Sequence, residues 1–347
     1  MIIRRHTNRY NFVADPKTGI TFRWGETFKE NPIMAPWPEL ADVSISNYCN
    51  NNCEYCYRNS SSEGKFIALK DFSFLLNQLT CPEYGAVFQI ALGGGEPLLH
   101  PEFVDILRIT REEFGMIPNY TTNGKFFNQD IIEATKKWCG AIAISYDPYR
   151  KDVSLDELRQ TGIILKKENI KTNIHYVLSE KTIQHAIKIL KGYYDEFFNI
   201  YNAIIFLTYK PTGRANYSDC IKGSNSLRSF LRLIEEPVSK VKTGFDACMV
   251  PLLMKHTDIN RDFLDSCECG FFSVYVDEEL NVKPCSFCTD NQYVFSLKET
   301  NFKDIWLKKF TYYRKKVANN CHEECNLSIE CRGKCPYFEE LFICKSL

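Results

Sequence analysis

Six short apolar runs recur along the middle of the chain, at 43–47, 87–92, 117–121, 141–146, 171–178 and 203–209. Each is five to eight residues long and rich in Val, Ile, Leu, Phe or Tyr, the length and composition of a strand. Helical periodicity fills the gaps near 70–80, 102–114, 128–138, 154–168 and 181–191, and another helix is expected over 224–242. Strands that alternate with helices predict a parallel sheet joined by right-handed crossovers. Six units are too few for a closed eight-fold barrel, so the expected fold is α/β, an open, partial (β/α)6 TIM barrel. Ahead of it, Tyr10–Ala14 and Ile20–Trp24 read as an N-terminal β-hairpin joined by the turn Asp15-Pro16-Lys17-Thr18-Gly19. Such a hairpin either only packs or offers an edge to an extended peptide. After about residue 244 cysteine dominates the pattern. The expected parts are therefore 1–40, 41–243 and 244–347.

The unusual residues of the repeat fall at the C-terminal ends of the strands, where barrel active sites are built. Strand one of the barrel runs into Cys49, strand two into Gly93-Gly94-Gly95-Glu96-Pro97, and strand three into Thr121-Thr122-Asn123-Gly124. Strand four ends at Ser145-Tyr146-Asp147, and strand six at Tyr209-Lys210-Pro211-Thr212-Gly213-Arg214. Glycine lets a backbone approach a ligand closely, because no Cβ intervenes. Asn123, Ser145 and Asp147 also fit the ordinary roles of helix N-caps and turn residues.

The chain has 347 residues, with 43 basic and 43 acidic side chains. That balance argues against nucleic acid as a partner. No 18-residue apolar run is present, so no membrane partner is expected. The start, Met1-Ile2-Ile3-Arg4-Arg5, lacks the apolar core of a signal peptide, which points to the cytoplasm. Sixteen cysteines stand out; without a secretory signal they suggest metal rather than disulfides. The six histidines show no shared spacing and are not offered as ligands.

Cys49-Asn50-Asn51-Asn52-Cys53-Glu54-Tyr55-Cys56 packs three cysteines into eight residues. Thiolates this close can converge on an iron–sulfur cluster or a zinc ion. Zinc sites more often show two ligand pairs. Cys-x3-Cys-x-aromatic-Cys resembles the signature of the radical S-adenosylmethionine (SAM) enzymes. That resemblance implies a 4Fe–4S cluster on Cys49, Cys53 and Cys56 whose open iron binds the methionine of SAM. The second strand end is similar to the family's GGE motif, which implies that Gly94, Gly95 and Glu96 hold the SAM amino group. It further implies cofactor-binding roles for Tyr55, Asn123, Ser145 and Asp147. Arg214 is a further candidate to pair with a carboxylate.

The tail carries Cys248, Cys267, Cys269, Cys285 and Cys288, then the dense run Cys321, Cys325, Cys331, Cys335 and finally Cys344. A zinc ribbon array is one reading. Beside the first motif, the tail resembles the SPASM domain, which implies two auxiliary 4Fe–4S clusters and so three in all. Carried over, the first would use Cys267, Cys285, Cys335 and Cys248; the second would use Cys321, Cys325, Cys331 and Cys344. The family's hairpin between cysteines would fall at Phe271–Val276 and Asn281–Lys283. Leu280 stands where the family often has glycine. Cys269 and Cys288 are spare, and Cys81, Cys139 and Cys220 are read as incidental thiols.

The resemblance implies an oxidoreductase that cleaves SAM reductively to a 5′-deoxyadenosyl radical and abstracts hydrogen from a precursor peptide. Oxidative crosslinking of that peptide is the expected outcome, with flavodoxin or ferredoxin as electron donor. Sulfatase maturation fits less well, because Ser286 replaces the acid often found after the hairpin's second cysteine. Ser286 or Asp290 remains a candidate for proton transfer. A dehydrogenase of a small alcohol is the alternative enzyme. An iron–sulfur electron carrier or a zinc scaffold is the alternative without catalysis.

Overall fold

The computed structural model describes residues 2–150, 152–318, 325, 331–332, 335–338, 341 and 344. The chain opens with three antiparallel strands, β1 (Ile3–Thr7), β2 (Tyr10–Ala14) and β3 (Thr21–Trp24), in the order β1-β2-β3. The sequence predicted only the last two. The first is hidden in Ile-Arg-Arg-His-Thr because one arginine faces inward. Arg5 is buried, and its guanidinium donates to the carbonyls of Trp37 (3.2 Å), Pro38 (2.9 Å) and Ala86.

The parallel repeat follows. β4 (Leu40–Ser46) leads through a cysteine loop to α1 (Leu69–Gln78) and a two-residue hairpin, β5 (Thr80–Cys81) with β6 (Gly85–Ala86). β7 (Gln89–Gly94), α2 (Phe103–Arg108), β8 (Ile117–Thr122), α3 (Gln129–Trp138) and β9 (Ile142–Tyr146) come next. After α4 (Leu155–Lys167), β10 (Thr172–Leu178), α5 (Ile183–Leu190), a short α6 (Asp195–Phe198), β11 (Ala203–Thr208) and α7 (Asn225–Glu235), the repeat ends in β12 (Thr243–Phe245). The helix expected over 224–242 stops at Glu235, because Pro237 cannot continue it. The chain that follows extends and pairs Thr243–Phe245 with β11.

All six expected strands are present and parallel, and with β12 as a seventh they run in the order β12-β11-β10-β9-β8-β7-β4. Their outer residues pack against the helices. Ile90, Leu92, Tyr120, Ile144, Ile174 and Phe206 are each 2% exposed or less. Inner residues are small or polar, and they bond to one another across strands. Asn119 Nδ2 donates to Gln89 Oε1 (3.0 Å), and Thr121 Oγ1 lies 3.4 Å from His175 Nδ1. The barrel therefore encloses a lumen of hydrogen-bonded polar groups. At its N-terminal end the 16–19 turn closes the opening: Lys171 Nζ donates to Thr18 O (3.0 Å) and Arg111 to Pro16 O (3.3 Å).

The tail begins with α8 (Val250–His256) and continues into β13 (Ser273–Val276), β14 (Asn281–Lys283) and β15 (Phe295–Ser296). β13 and β14 are the expected hairpin, and β13 also pairs parallel with β4. The sheet thus continues from the barrel into the tail as one ten-stranded surface. α9 (Phe302–Asp304) and α10 (Phe310–Ala318) cover it; Trp37 stacks edge-on to Phe302 at 5.0 Å, and Trp306 donates to Pro36 O (3.1 Å). At the hairpin turn Leu280 takes φ 69°, a conformation natural to glycine. Its backbone is held there by Leu280 N donating to Asp277 O (3.0 Å) and Leu297 N donating to Leu280 O (3.0 Å).

Candidate active site

The three clustered cysteines sit in the loop after β4, at the C-terminal mouth of the barrel. All three are half-buried free thiols. Burial pushes the Cys53 thiol up to about 11 and raises Cys49, so a metal must displace their protons. The loop is held from strand six. Arg214 N donates to Cys56 O (3.0 Å), Arg214 Nε to Cys53 O (2.9 Å) and Nη1 to Ser60 O (2.8 Å). A Cβ on Gly213 would collide with the Cys56 carbonyl. Arg214 was expected to pair with a cofactor carboxylate; most of its donors instead clamp the cysteine loop, and Nη2 alone is buried without a partner.

The glycines of β7 face the same loop. A Cβ on Gly94 would land on Ser46 O, and one on Gly95 on Tyr48 O. Their absence lets Gly95 N donate to Ser46 O (2.6 Å) and Glu96 N to Tyr48 O (2.9 Å). Glu96 itself is buried and turned toward β8. Its carboxylate accepts from Thr122 Oγ1 (2.6 Å), Asn123 N (2.7 Å) and Leu98 N (3.1 Å). Burial raises its pKa against the pull of those donors. The Glu96 carboxylate thus knits two strand ends together, and the Gly94-Gly95 backbone lies against the cysteine loop.

Asn123 has its amide oxygen on Lys125 N (3.0 Å), and its Nδ2 is buried without a partner. Beyond it opens a cleft of about 730 Å³, lined by Cys53, Tyr55, Asp147, Arg150, Ser179 and Lys181 among others. Tyr55 is held un-ionised by burial and by the Asp147 carboxylate beside it. Asp147 also caps Tyr149 N (2.8 Å). Ser145 contributes its carbonyl, which accepts from Arg150 Nη1 (3.2 Å); Arg150 Nη2 donates to Asn123 O (3.1 Å). Arg150 was not singled out by the sequence, because it sits past the strand end in a polar turn. It joins two of the expected residues from behind.

This donor set fits a 4Fe–4S cluster with SAM. Three thiols share one loop, glycines bring backbone against it, the Asn123 amide nitrogen is buried and unpaired, and a cleft of about 730 Å³ opens beside Cys53 and Tyr55. Among the described residues no three His, Cys, Asp or Glu side chains converge on a point suited to a single metal ion.

In the tail, Cys248, Cys267, Cys269, Cys285 and Cys335 line one cavity, with Lys210 and Phe287. Four of these five are the expected first auxiliary set, and the fifth, Cys269, is one of the two spare thiols. Lys210 is buried; burial pushes its ammonium down, but Asp246 at 2.9 Å keeps its pKa above the ordinary value. Of the second set, Cys321 lies outside the described residues. Cys331 packs with Val250 and Met254, Cys344 O faces His256 Nε2 at 2.9 Å, and Cys325 is half-buried. Ser286 is half-buried between two residues of the cavity wall. Asp290 is turned away to a surface task. It accepts from Gln292 and pairs with Lys316 at 3.3 Å, contacts that hold its carboxyl below the usual range.

An aromatic contact joins the two cysteine groups. Tyr57, just past Cys56, stacks at 4.6 Å on Phe287 of the tail cavity. Asp42, Arg58 and Tyr275 lie beside Tyr57. Only the residues before Cys49 and after Cys56 were read as strand or loop in the sequence, so this interior group was missed; the inward alternation of β4 was the signal for it.

Residues 43–193 match the Radical SAM superfamily profile. The 7,8-dihydro-6-hydroxymethylpterin dimethyltransferase of Methanocaldococcus jannaschii is 22% identical over 293 residues, which are 78% of this chain and 58% of that protein. A cysteine-type anaerobic sulfatase-maturating enzyme of Clostridium perfringens is 21% identical over 86% of this chain and 85% of its own. In structure, Streptococcus suis SuiB bound to S-adenosylmethionine superposes with a TM-score of 0.73 at 14% identity, over 96% of this chain and 94% of that one. Another structure of SuiB holds its precursor peptide SuiA. The enzyme anSMEcpe with bound AdoMet and Cp18Cys peptide superposes at 0.65 with 18% identity, over 89% of this chain and 95% of that one. No helix among the described residues is long and apolar enough to cross a membrane. The strand-end motifs, the sheet order and the profile match agree: residues 43–193 match the Radical SAM superfamily, and the chain shares the fold of SuiB and anSMEcpe over 96% and 89% of its length.

Proposed function

We propose that this radical SAM protein is a peptide maturase that abstracts hydrogen from a residue of a precursor peptide and makes an oxidative crosslink, with three 4Fe–4S clusters per chain. The observation that carries the proposal is a pair of cysteine groups, Cys49/Cys53/Cys56 and the cavity of Cys248, Cys267, Cys269, Cys285 and Cys335, joined by the contact of Tyr57 with Phe287. When bound at the first group, cluster and SAM together supply one-electron cleavage to a 5′-deoxyadenosyl radical; an auxiliary cluster supplies an electron acceptor.

The chain's own residues set the conditions for that chemistry. Arg214 and the Gly94-Gly95 backbone fix the loop that presents the three thiols. Asn123 Nδ2 offers a donor to the cofactor, and Tyr55 with Asp147 lines its cleft. Tyr57 and Phe287 form an apolar wall between the two cysteine groups, which keeps water from a reactive carbon. The relatives that bind peptides support a peptide substrate here.

A second reading, oxidation of one side chain in a sulfatase-like protein, is favoured by the even match to the Clostridium perfringens enzyme over most of both chains. The two differ in product: a crosslinked peptide stays joined after proteolysis between the two residues, and an oxidised single side chain does not.

The test is anaerobic reconstitution, iron analysis, then dithionite and SAM. About twelve irons per chain and release of 5′-deoxyadenosine are expected. No 5′-deoxyadenosine would reject the radical reading in favour of an electron carrier or scaffold.

A further inference from the structure

Asp42 on β4 and Tyr275 on β13 are register partners, side by side on the lumen face of the sheet. Tyr275 is 1% exposed, and its hydroxyl has no hydrogen-bond partner. Asp42 is half-buried, so water reaches it. Among the described residues its carboxylate accepts no hydrogen bond and joins no ion pair, although Arg58 lies close enough to be felt.

The charges around Asp42 are matched elsewhere. Arg58 pairs with Glu278 at 2.6 Å, and Ser44 Oγ donates to the same carboxylate oxygen (2.7 Å). Lys283 pairs with Asp277 at 3.2 Å, and Lys210 with Asp246 at 2.9 Å. Glu96 also lacks an ion pair but accepts three hydrogen bonds; Asp42 is left with neither. Desolvation raises its carboxyl to about 7 despite the pull of Arg58. An unmatched carboxylate beside an unpaired buried hydroxyl is unfavourable as pure structure. It becomes favourable when a ligand brings a positive charge and donors.

We propose that Asp42 and Tyr275 form a specificity subsite in the barrel lumen that receives a cationic side chain of the substrate, an ammonium or guanidinium group. The cation donates to the Asp42 carboxylate and to the Tyr275 phenol oxygen. Tyr57 is close enough to feel Asp42, Cys56 and Cys285 and packs on Phe287, so a cation held at Asp42 sits near the contact that joins the two cysteine groups. The subsite rests on the peptide-modification reading, and its test separates the two.

The test titrates the anaerobically reconstituted full chain with N-acetylated, C-amidated Gly-X-Gly tripeptides, X being Lys, Arg, norleucine or Glu, by calorimetry. The Lys or Arg tripeptide is expected to bind about tenfold tighter than norleucine, the scale of a charge-assisted contact. Asp42→Asn should cut that preference below about twofold, Asp42→Glu should keep most of it, and Tyr275→Phe should lower it about threefold. Circular dichroism reports whether each variant is folded, and the preference of the unaltered protein stands as a test on its own if one is not. Norleucine or Glu binding as well as Lys, no tripeptide binding at all, or an undiminished preference in folded Asp42→Asn would each overturn the subsite. Absence of 5′-deoxyadenosine from the unaltered protein would instead sink the radical reading and leave the binding preference measurable.

Discussion

Leu280 shows how a single residue can keep a conformation that its side chain resists. Its φ of 69° lies in the left-handed region, which costs a non-glycine residue about 1 kcal/mol or more. The leucine is retained because its side chain, 3% exposed, belongs to the main core. At most buried sites alanine is the better truncation, since glycine adds backbone entropy to the unfolded state. Here the order should reverse: Leu280→Gly should be more stable than Leu280→Ala by about 1 kcal/mol, although both lose the packing. Chemical denaturation of the two variants checks this. Asp42 gives the second residue-scale prediction. Its native pKa, about 7, lies above the ordinary 3.8, so the folded state binds more protons than the unfolded state between those values. Stability should therefore fall as pH rises from about 4 to about 7 and level off above. Because water reaches the side chain, the slope should amount to about 1–2 kcal/mol rather than the full linkage value. Asp42→Asn should abolish it, measured as unfolding free energy against pH.

At the scale of elements, β7 and its glycines carry the sharpest contrast. Gly93 has open space where a Cβ would go, whereas a Cβ on Gly95 would strike the Tyr48 carbonyl. Gly93→Ala should therefore be nearly neutral. Gly95→Ala must break two strand-end hydrogen bonds and should cost about 2–3 kcal/mol. The loop beside Gly95 holds the three thiols, so iron content after reconstitution should fall in Gly95→Ala and stay level in Gly93→Ala. The motif's chemistry was legible in the sequence, but its split into two constrained glycines, Gly94 and Gly95, and one free one, Gly93, was not, since that depends on what the opposite strand end brings near. The same holds for the strands. Their apolar runs were legible because one face of each packs on helices, as with Ile174 and Tyr176 of β10. β1 was not, because Arg5 reaches three carbonyls that lie more than thirty residues away. β12 was missed just beyond an overlong helical reading that ran past Pro237 to residue 242. Glu96 was legible as a site residue but not in its hydrogen bonding; its three donors come from Leu98, Thr122 and Asn123, and the last two stand at and just past the end of another strand.

At the scale of the whole molecule, β4 is the shared element. It pairs with β7 on one side and with β13 of the tail on the other, and the cysteine loop leaves its end. Barrel and tail are therefore one sheet with two cysteine groups, and the aromatic contact of Tyr57 with Phe287 couples them again inside. Arg23 adds a third tie from the N-terminal sheet, pairing with Glu39 at 3.1 Å and Glu268 at 2.5 Å. Such continuity predicts that damage in the tail is felt in the barrel. Cys285 lines the tail cavity and follows β14 directly. Replacing it by alanine removes one thiolate from that cavity and should lower iron content by about four per chain. If metal binding contributes folding energy to the tail and the sheet transmits the loss, the thermal midpoint of the entire chain should drop by about 5 °C or more. The midpoint followed by helix ellipticity and that followed by cluster absorbance should remain coincident in the variant. Two separated transitions, with the helical one unmoved, would mean that the tail folds on its own and that the shared strand carries no coupling.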